Sequence, residues 1–146
     1  MKVMVLVKAA AADEDRLAPS QELIEAMGEY NERLVKAGIM LDGGGLRPTS
    51  EAVEVVFEGG TTSVVDGPFT EAKEIIAGYW IWQVGSVEEA VEWARQCPDD
   101  PNSGIRSSLE IRPFFEAEDF GEEYTPERRE RDARLAAEVT AQHGQG

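Results

Sequence analysis

The chain has 146 residues, enough for one domain that buries roughly two-thirds of its unfolded surface. Fourteen Lys and Arg against twenty-nine Asp and Glu give a net charge of −15, which repels phosphate backbones and argues against nucleic acid as a partner. A single cysteine, Cys97, excludes an internal disulfide, and no apolar run approaches the roughly twenty residues that span a bilayer, so no membrane association is expected.

The first residues lack the basic flank and long apolar core of a signal peptide, and a cytoplasmic protein is expected. Val3 to Val7, bounded by Lys2 and Lys8, is a β-branched apolar run that predicts a strand buried on both faces. Ala9 to Ala18 is a small-residue, acidic linker, and Pro19-Ser20 announces a helix. Leu23, Ile24, Met27, Tyr30, Leu34 and Val35 recur at helical spacing along it, with glutamates largely opposite, until Gly38.

Ile39 to Leu41 predicts a short second strand that loosens at Asp42-Gly43-Gly44-Gly45. The glycines lack the Lys-Ser/Thr ending of a phosphate loop and lead into no helix, so a bulge or a close backbone approach is the better reading. Val53, Val55 and Phe57 alternate with Glu54, Val56 and Glu58, and Gly59-Gly60 fits a two-residue hairpin turn into Thr61 to Val65. That hairpin delivers the chain to Asp66-Gly67-Pro68-Phe69.

Gly67 permits unusual dihedrals and Pro68 fixes its own, so this is a stiff corner. Asp66 has two readings there: a cap on the amides of Thr70 to Glu74, or a carboxylate held at the mouth of a pocket. Glu71, Lys73 and Glu74 lie within a turn or so, where opposite charges tune one another. Ile75 to Val84 is apolar and aromatic on both faces and predicts a central strand, with Trp80 and Trp82 on one face and Tyr79 and Ile81 on the other. Ser86-Val87-Glu88-Glu89 matches a capping box for a helix that Pro98 stops. Leu109 and Ile111 mark a last, half-exposed strand, and an acidic connector, Glu116 to Glu123, precedes a helix opened by Thr125-Pro126 that reaches about His143.

The order strand, helix, strand, inserted hairpin, strand, helix, strand predicts a ferredoxin-like βαββαβ α+β sandwich with a C-terminal helix. Two helices cover one face of such a sheet; the two-faced apolar strands at 3–7 and 75–84 need cover on the other, which a homodimer packed sheet to sheet would supply.

Asp66-Gly67-Pro68-Phe69, Glu71-Ala72-Lys73-Glu74, Gly78-Tyr79, Glu89-Ala90, Glu92-Trp93-Ala94, Cys97-Pro98 and Glu110 to Phe114 together resemble the YCII-related family in its DGPF branch, over Met1 to about Phe115. Residues 116–146 are then a connector and tail. The resemblance implies a dimeric α+β barrel, a pocket near the motif and no particular reaction. Some YCII-type members carry a first-helix histidine thought to pair with an aspartate as an acid/base dyad; here that helix has none, the matching position falling near Met27.

One His in the tail and one unpartnered Cys argue against a common metal site or a Ser-His or Cys-His nucleophile, and no cofactor is expected. Cys97 is read as a small core residue. The remaining candidates are Asp66 and Lys73 as base and electrostatic aid, and Arg47, Gly67, Pro68, Phe69, Glu71 and Tyr79 as contacts to a small polar ligand; Arg47, Lys73, Arg106 and Arg112 are the cations available to an anionic one. Two functions follow: a ligand-binding protein whose chemistry, where present, is that of a lyase or isomerase, or a regulatory module of the kind that similar domains form beside alternative sigma factors.

Overall fold

The computed structural model describes residues 1–144. It contains β1 (Lys2–Ala10), α1 (Gln21–Lys36), β2 (Met40–Gly45), β3 (Val53–Glu58), β4 (Thr61–Asp66), β5 (Glu74–Gln83), α2 (Val87–Ala94), β6 (Ser107–Pro113) and α3 (Pro126–His143), with short 3-10 turns at Ala11–Arg16, Thr49–Glu51 and Ala117–Glu123. Two compact units result, Met1–Pro113 and the chain from Phe114 onward.

In the first unit four strands form one antiparallel sheet in the order β2-β5-β1-β6, while β3 and β4 make a separate two-stranded sheet. With α1 joining β1 to β2 and α2 joining β5 to β6, this is the expected ferredoxin-like α+β arrangement, an open sheet and not a closed barrel. Register sorts the side chains: Val3 opposes Trp82 and Val5 opposes Trp80 on the face toward the helices, and Met4–Ile81 and Leu6–Tyr79 pairs lie on the other. The core gathers Val3, Val5, Tyr30, Leu34, Trp80, Trp82, Val84 and Ala90.

The helix ends follow local chemistry. Ser20 Oγ accepts from the Leu23 amide at 3.1 Å to open α1. Its far end is a Schellman motif: Gly38 takes a φ of 74° while the Ile39 amide reaches the Leu34 carbonyl and the Gly38 amide that of Val35. Ser86 Oγ caps α2 through the Glu89 amide, and the Glu89 carboxylate reaches back one residue further than a standard box, to the Gly85 amide at 2.8 Å. Gly59 and Gly60, with φ of 59° and 79°, form the tight turn between β3 and β4.

Two expectations change. Asp42 to Gly45 is no loosened loop but the continuation of β2, paired with β5 from Trp82 to Gly78 across a bulge at Leu41. Glycine is depleted from strands in general, yet here it is demanded by contact: a Cβ on Gly43 would stand 2.8 Å from Trp80 Cδ1, and one on Gly78 2.9 Å from the Gly44 carbonyl oxygen. Ala9 to Ala18, read as a linker, completes β1 and then turns through the 3-10 segment, tied to the start of β5 by the Ala11 amide and the Lys73 carbonyl at 2.9 Å.

In the second unit Phe115, Phe120 and Tyr124 form a chain of ring contacts at 5.0 and 5.1 Å. Tyr124 Oη donates to Asp132 at 2.6 Å, and Arg128 donates to the same carboxylate. These two donors, the tyrosine first, hold the Asp132 carboxyl below its ordinary value. Leu135 and Val139, the apolar stripe of α3, are exposed.

Candidate functional site

Helix α1 is covered differently at its two ends, and the difference makes a cavity of about 1160 Å³ in the first unit. Val7, Ile75 and Trp80 of the sheet contribute to one side, Leu23, Met27 and Asn31 of α1 to another, and Leu17 of the 11–19 segment to a third. Gly43, Gly44 and Gly45 border it from β2, where the absence of side chains leaves room. The walls are mostly nonpolar, which is the usual character of a small-molecule pocket.

The rim is held by polar contacts. Glu14 accepts from both the Thr49 amide, at 2.8 Å, and the Thr49 hydroxyl, at 2.5 Å, so the segment after β1 is clipped to the loop after β2. The Thr49 carbonyl in turn lies against Gly67: a Cβ there would be 1.8 Å from its oxygen. The Gly67 amide donates to the Ala52 carbonyl at 2.8 Å. Glycine at position 67 is therefore required by a close approach of backbone and not by a left-handed φ. The peptide bond into Pro68 is cis.

Of the residues named from sequence, Arg47, Pro68 and Tyr79 line the cavity, whereas Asp66, Gly67, Phe69, Glu71 and Lys73 do not. Asp66 is exposed at the end of β4, and its carboxylate accepts no hydrogen bond from any described residue, so the expected cap on Thr70 to Glu74 does not form; that stretch is a turn closed by the Ala72 amide on the Phe69 carbonyl. No ion pair joins Asp66 to Lys73 among the described residues. Arg47 is the one basic residue among the described residues on the cavity wall, and its side chain, 85% exposed, pairs with Glu51 at 3.1 Å. Tyr79 donates to Asp42 at 3.3 Å.

Sequence reasoning passed over Glu14 and Asn31. Glu14 lay in a stretch read as a linker, with nothing local to announce its partner. Asn31 was legible: it falls four residues after Met27, an amide on the apolar stripe, and such a break marks a polar group with a specific partner. That partner is Trp80, whose Nε1 donates to Asn31 Oδ1 at 2.9 Å.

Other reactive groups are turned to structural use. Tyr30 is fully buried, its hydroxyl donates to the Trp93 carbonyl at 2.6 Å, and burial pushes its pKa well up. Burial likewise pushes the Cys97 thiol up to about 11, leaving almost no thiolate at neutral pH. On the opposite sheet face Lys8 bridges Glu110 at 2.9 Å and Glu74 at 3.0 Å, and Arg112 adds to Glu110. Among the described residues no group of three or more His, Cys, Asp or Glu is placed to hold a metal ion, and no helix is long and apolar enough to cross a membrane.

Fold and cavity together define a class: a ferredoxin-like α+β domain with an internal space beneath its first helix. The YCII-related domain matches residues 1–115, and the chain belongs to that family. It is similar to an uncharacterised protein of Rhizobium meliloti (strain 1021), 31% identical over 95 residues, a stretch covering 64% of this chain and 74% of the relative.

Proposed function

We propose that this protein is a cytoplasmic homodimer of the DGPF branch that binds a small organic molecule in the cavity between α1 and the β2–β5 side of the sheet. The carrying observation is the cavity itself: about 1160 Å³, walled mainly by nonpolar side chains, bordered by Pro68 of the Asp66–Phe69 corner and by Gly43 and Gly78, two positions where an added Cβ would clash. Dimer formation draws support from Met4, Leu6 and Ile81, which share the sheet face that α1 and α2 do not cover.

A ligand that binds only the native state raises its melting temperature. A thermal-shift screen of small organic molecules should yield hits with wild type and none with Ile24→Trp, which fills the cavity from α1. Hits that survive Ile24→Trp unchanged would place binding elsewhere. Sedimentation at low micromolar concentration should give twice the chain mass.

A second reading, a lyase or isomerase with Asp66 as general base and Lys73 as electrostatic aid, is favoured by one observation. The Asp66 carboxylate is engaged by no described residue and stands two residues before Pro68 on the cavity wall. Asp66→Asn should then abolish turnover of a bound compound while leaving its affinity and the melting temperature unchanged; retained turnover removes Asp66 from the chemistry.

A further inference from the structure

The contact between Asn31 and Trp80 fixes more than the core. An indole N–H is a donor only, so the side-chain oxygen of Asn31 is the atom that must face Trp80 Nε1, and the amide cannot flip without losing the 2.9 Å bond. Its Nδ2, with two hydrogens, makes no hydrogen bond to any described residue. Both residues line the cavity. The result is a donor set in place before any ligand arrives, the kind of single polar group that orients a molecule in a nonpolar site.

The charges around the cavity narrow the partner for that donor. Both oxygens of Glu14 are engaged by Thr49, and Arg47 faces Glu51 in water, where such a pair contributes little and lends little to an incoming anion. Asp15, also on the wall, is negative and not buried. An anionic ligand finds no disengaged cation among the described lining residues.

We propose, resting on the ligand-binding reading above, that the cavity takes an uncharged, largely nonpolar molecule bearing a carbonyl acceptor, a ketone, ester or amide, and that Asn31 Nδ2 donates to that carbonyl. Asn31 is thereby the specificity-determining residue of the site. It selects for an acceptor, and Trp80 sets its orientation.

Two uncharged probes test this: the propionyl dimethylaminonaphthalene fluorophore, which carries one ketone, and its counterpart with a methylene in place of the carbonyl. Each is titrated into wild type and into Asn31→Asp, whose carboxylate still accepts from Trp80 but donates nothing. The ketone should bind wild type and lose about threefold to tenfold in affinity with Asn31→Asp. The methylene probe should change less than about twofold, since it makes no hydrogen bond. Emission of the bound ketone should move to shorter wavelength in the variant as its hydrogen bond is lost. Equal losses for both probes, or no loss for the ketone, overturn the donor role of Asn31 while leaving the cavity reading intact. Failure of both probes to bind wild type sinks the cavity reading as well. Should Asn31→Asp not fold, the wild-type emission decides: a bound ketone emitting as in a dry aprotic solvent overturns the proposal.

Discussion

The two ends of α1 obey one sequence rule and meet two fates. Toward its C-terminus Tyr30 and Leu34 are fully buried, Tyr30 edge-on to Trp80 at 5.8 Å, in one cluster with Trp82, Val84 and Ala90 of α2. Toward its N-terminus Leu23 and Met27 are half-buried over a cavity, and Ile24 is 58% exposed. The apolar period is the same throughout, so the helix itself does not explain the difference. What lies opposite does: α2 has eight residues to the sixteen of α1, and the β2 segment facing the open end is Gly43-Gly44-Gly45. An amphipathic stripe specifies which way a helix faces, and only its neighbours specify whether the space is filled.

The largest effects should fall at the closed end. Trp82→Ala should remove about 3–5 kcal/mol in urea unfolding and Leu34→Ala about 2–5 kcal/mol, because each leaves a void in a filled core. Ile24→Ala at the open end should cost under about 1 kcal/mol, since little area is lost from burial there. Similar losses at both ends would erase the distinction.

The rim comes next. Gly67→Ala drives a methyl group into the Thr49 carbonyl and should cost about 1–3 kcal/mol; an unchanged melting temperature would show that the rim shifts freely and is not fixed by this contact. A smaller effect of opposite sign belongs to Gly28, on the open half of α1, where an added methyl group would meet nothing within 4 Å. Gly28→Ala should stabilise by about 0.4–1 kcal/mol through the unfolded chain, read as a higher melting temperature.

The smallest effect serves as a control away from the cavity. Lys8, then Arg112, hold the Glu110 carboxyl below its ordinary value, and Glu110, then Glu74, raise that of Lys8. A depressed carboxyl stabilises the fold fully above its unfolded pKa of about 4.3 and loses that contribution as pH falls through the lower folded value. A raised lysine contributes below its unfolded pKa of about 10.4 and loses it as pH rises through the higher folded one. The stability difference between wild type and Glu110→Gln should therefore be constant from about pH 5 to 9 and shrink below about pH 4. A difference that grows on acidification would mean that Glu110 is not held ionised by these partners.

Much of the fold was legible because its determinants are local. The caps at Ser20, Ser86 and Thr125, the Gly38 stop and the Gly59-Gly60 turn each act on amides within a few residues, and the structure shows each in place. The extension of β2 was not legible: three consecutive glycines carry no strand preference, and the approach of the Trp80 ring that explains Gly43 comes from a distant strand. Of the two readings of Asp66, the cap on the following amides fails for a related reason. A carboxylate near free amides suggests a bond, but the corner is organised by the Thr49 carbonyl, which packs against Gly67 from a loop eighteen residues earlier in a chain that gives no local sign of it.

The sequence by itself determined the strands, the helices, their order and the family, because hydrophobic period, capping and turn chemistry act over a few residues and need no partner. Tertiary structure alone decided the site. A cavity is a property of what fails to fill a space between elements distant in sequence, so Glu14 became a clip only when it met Thr49, and Asn31 a fixed donor only when Trp80 took its oxygen.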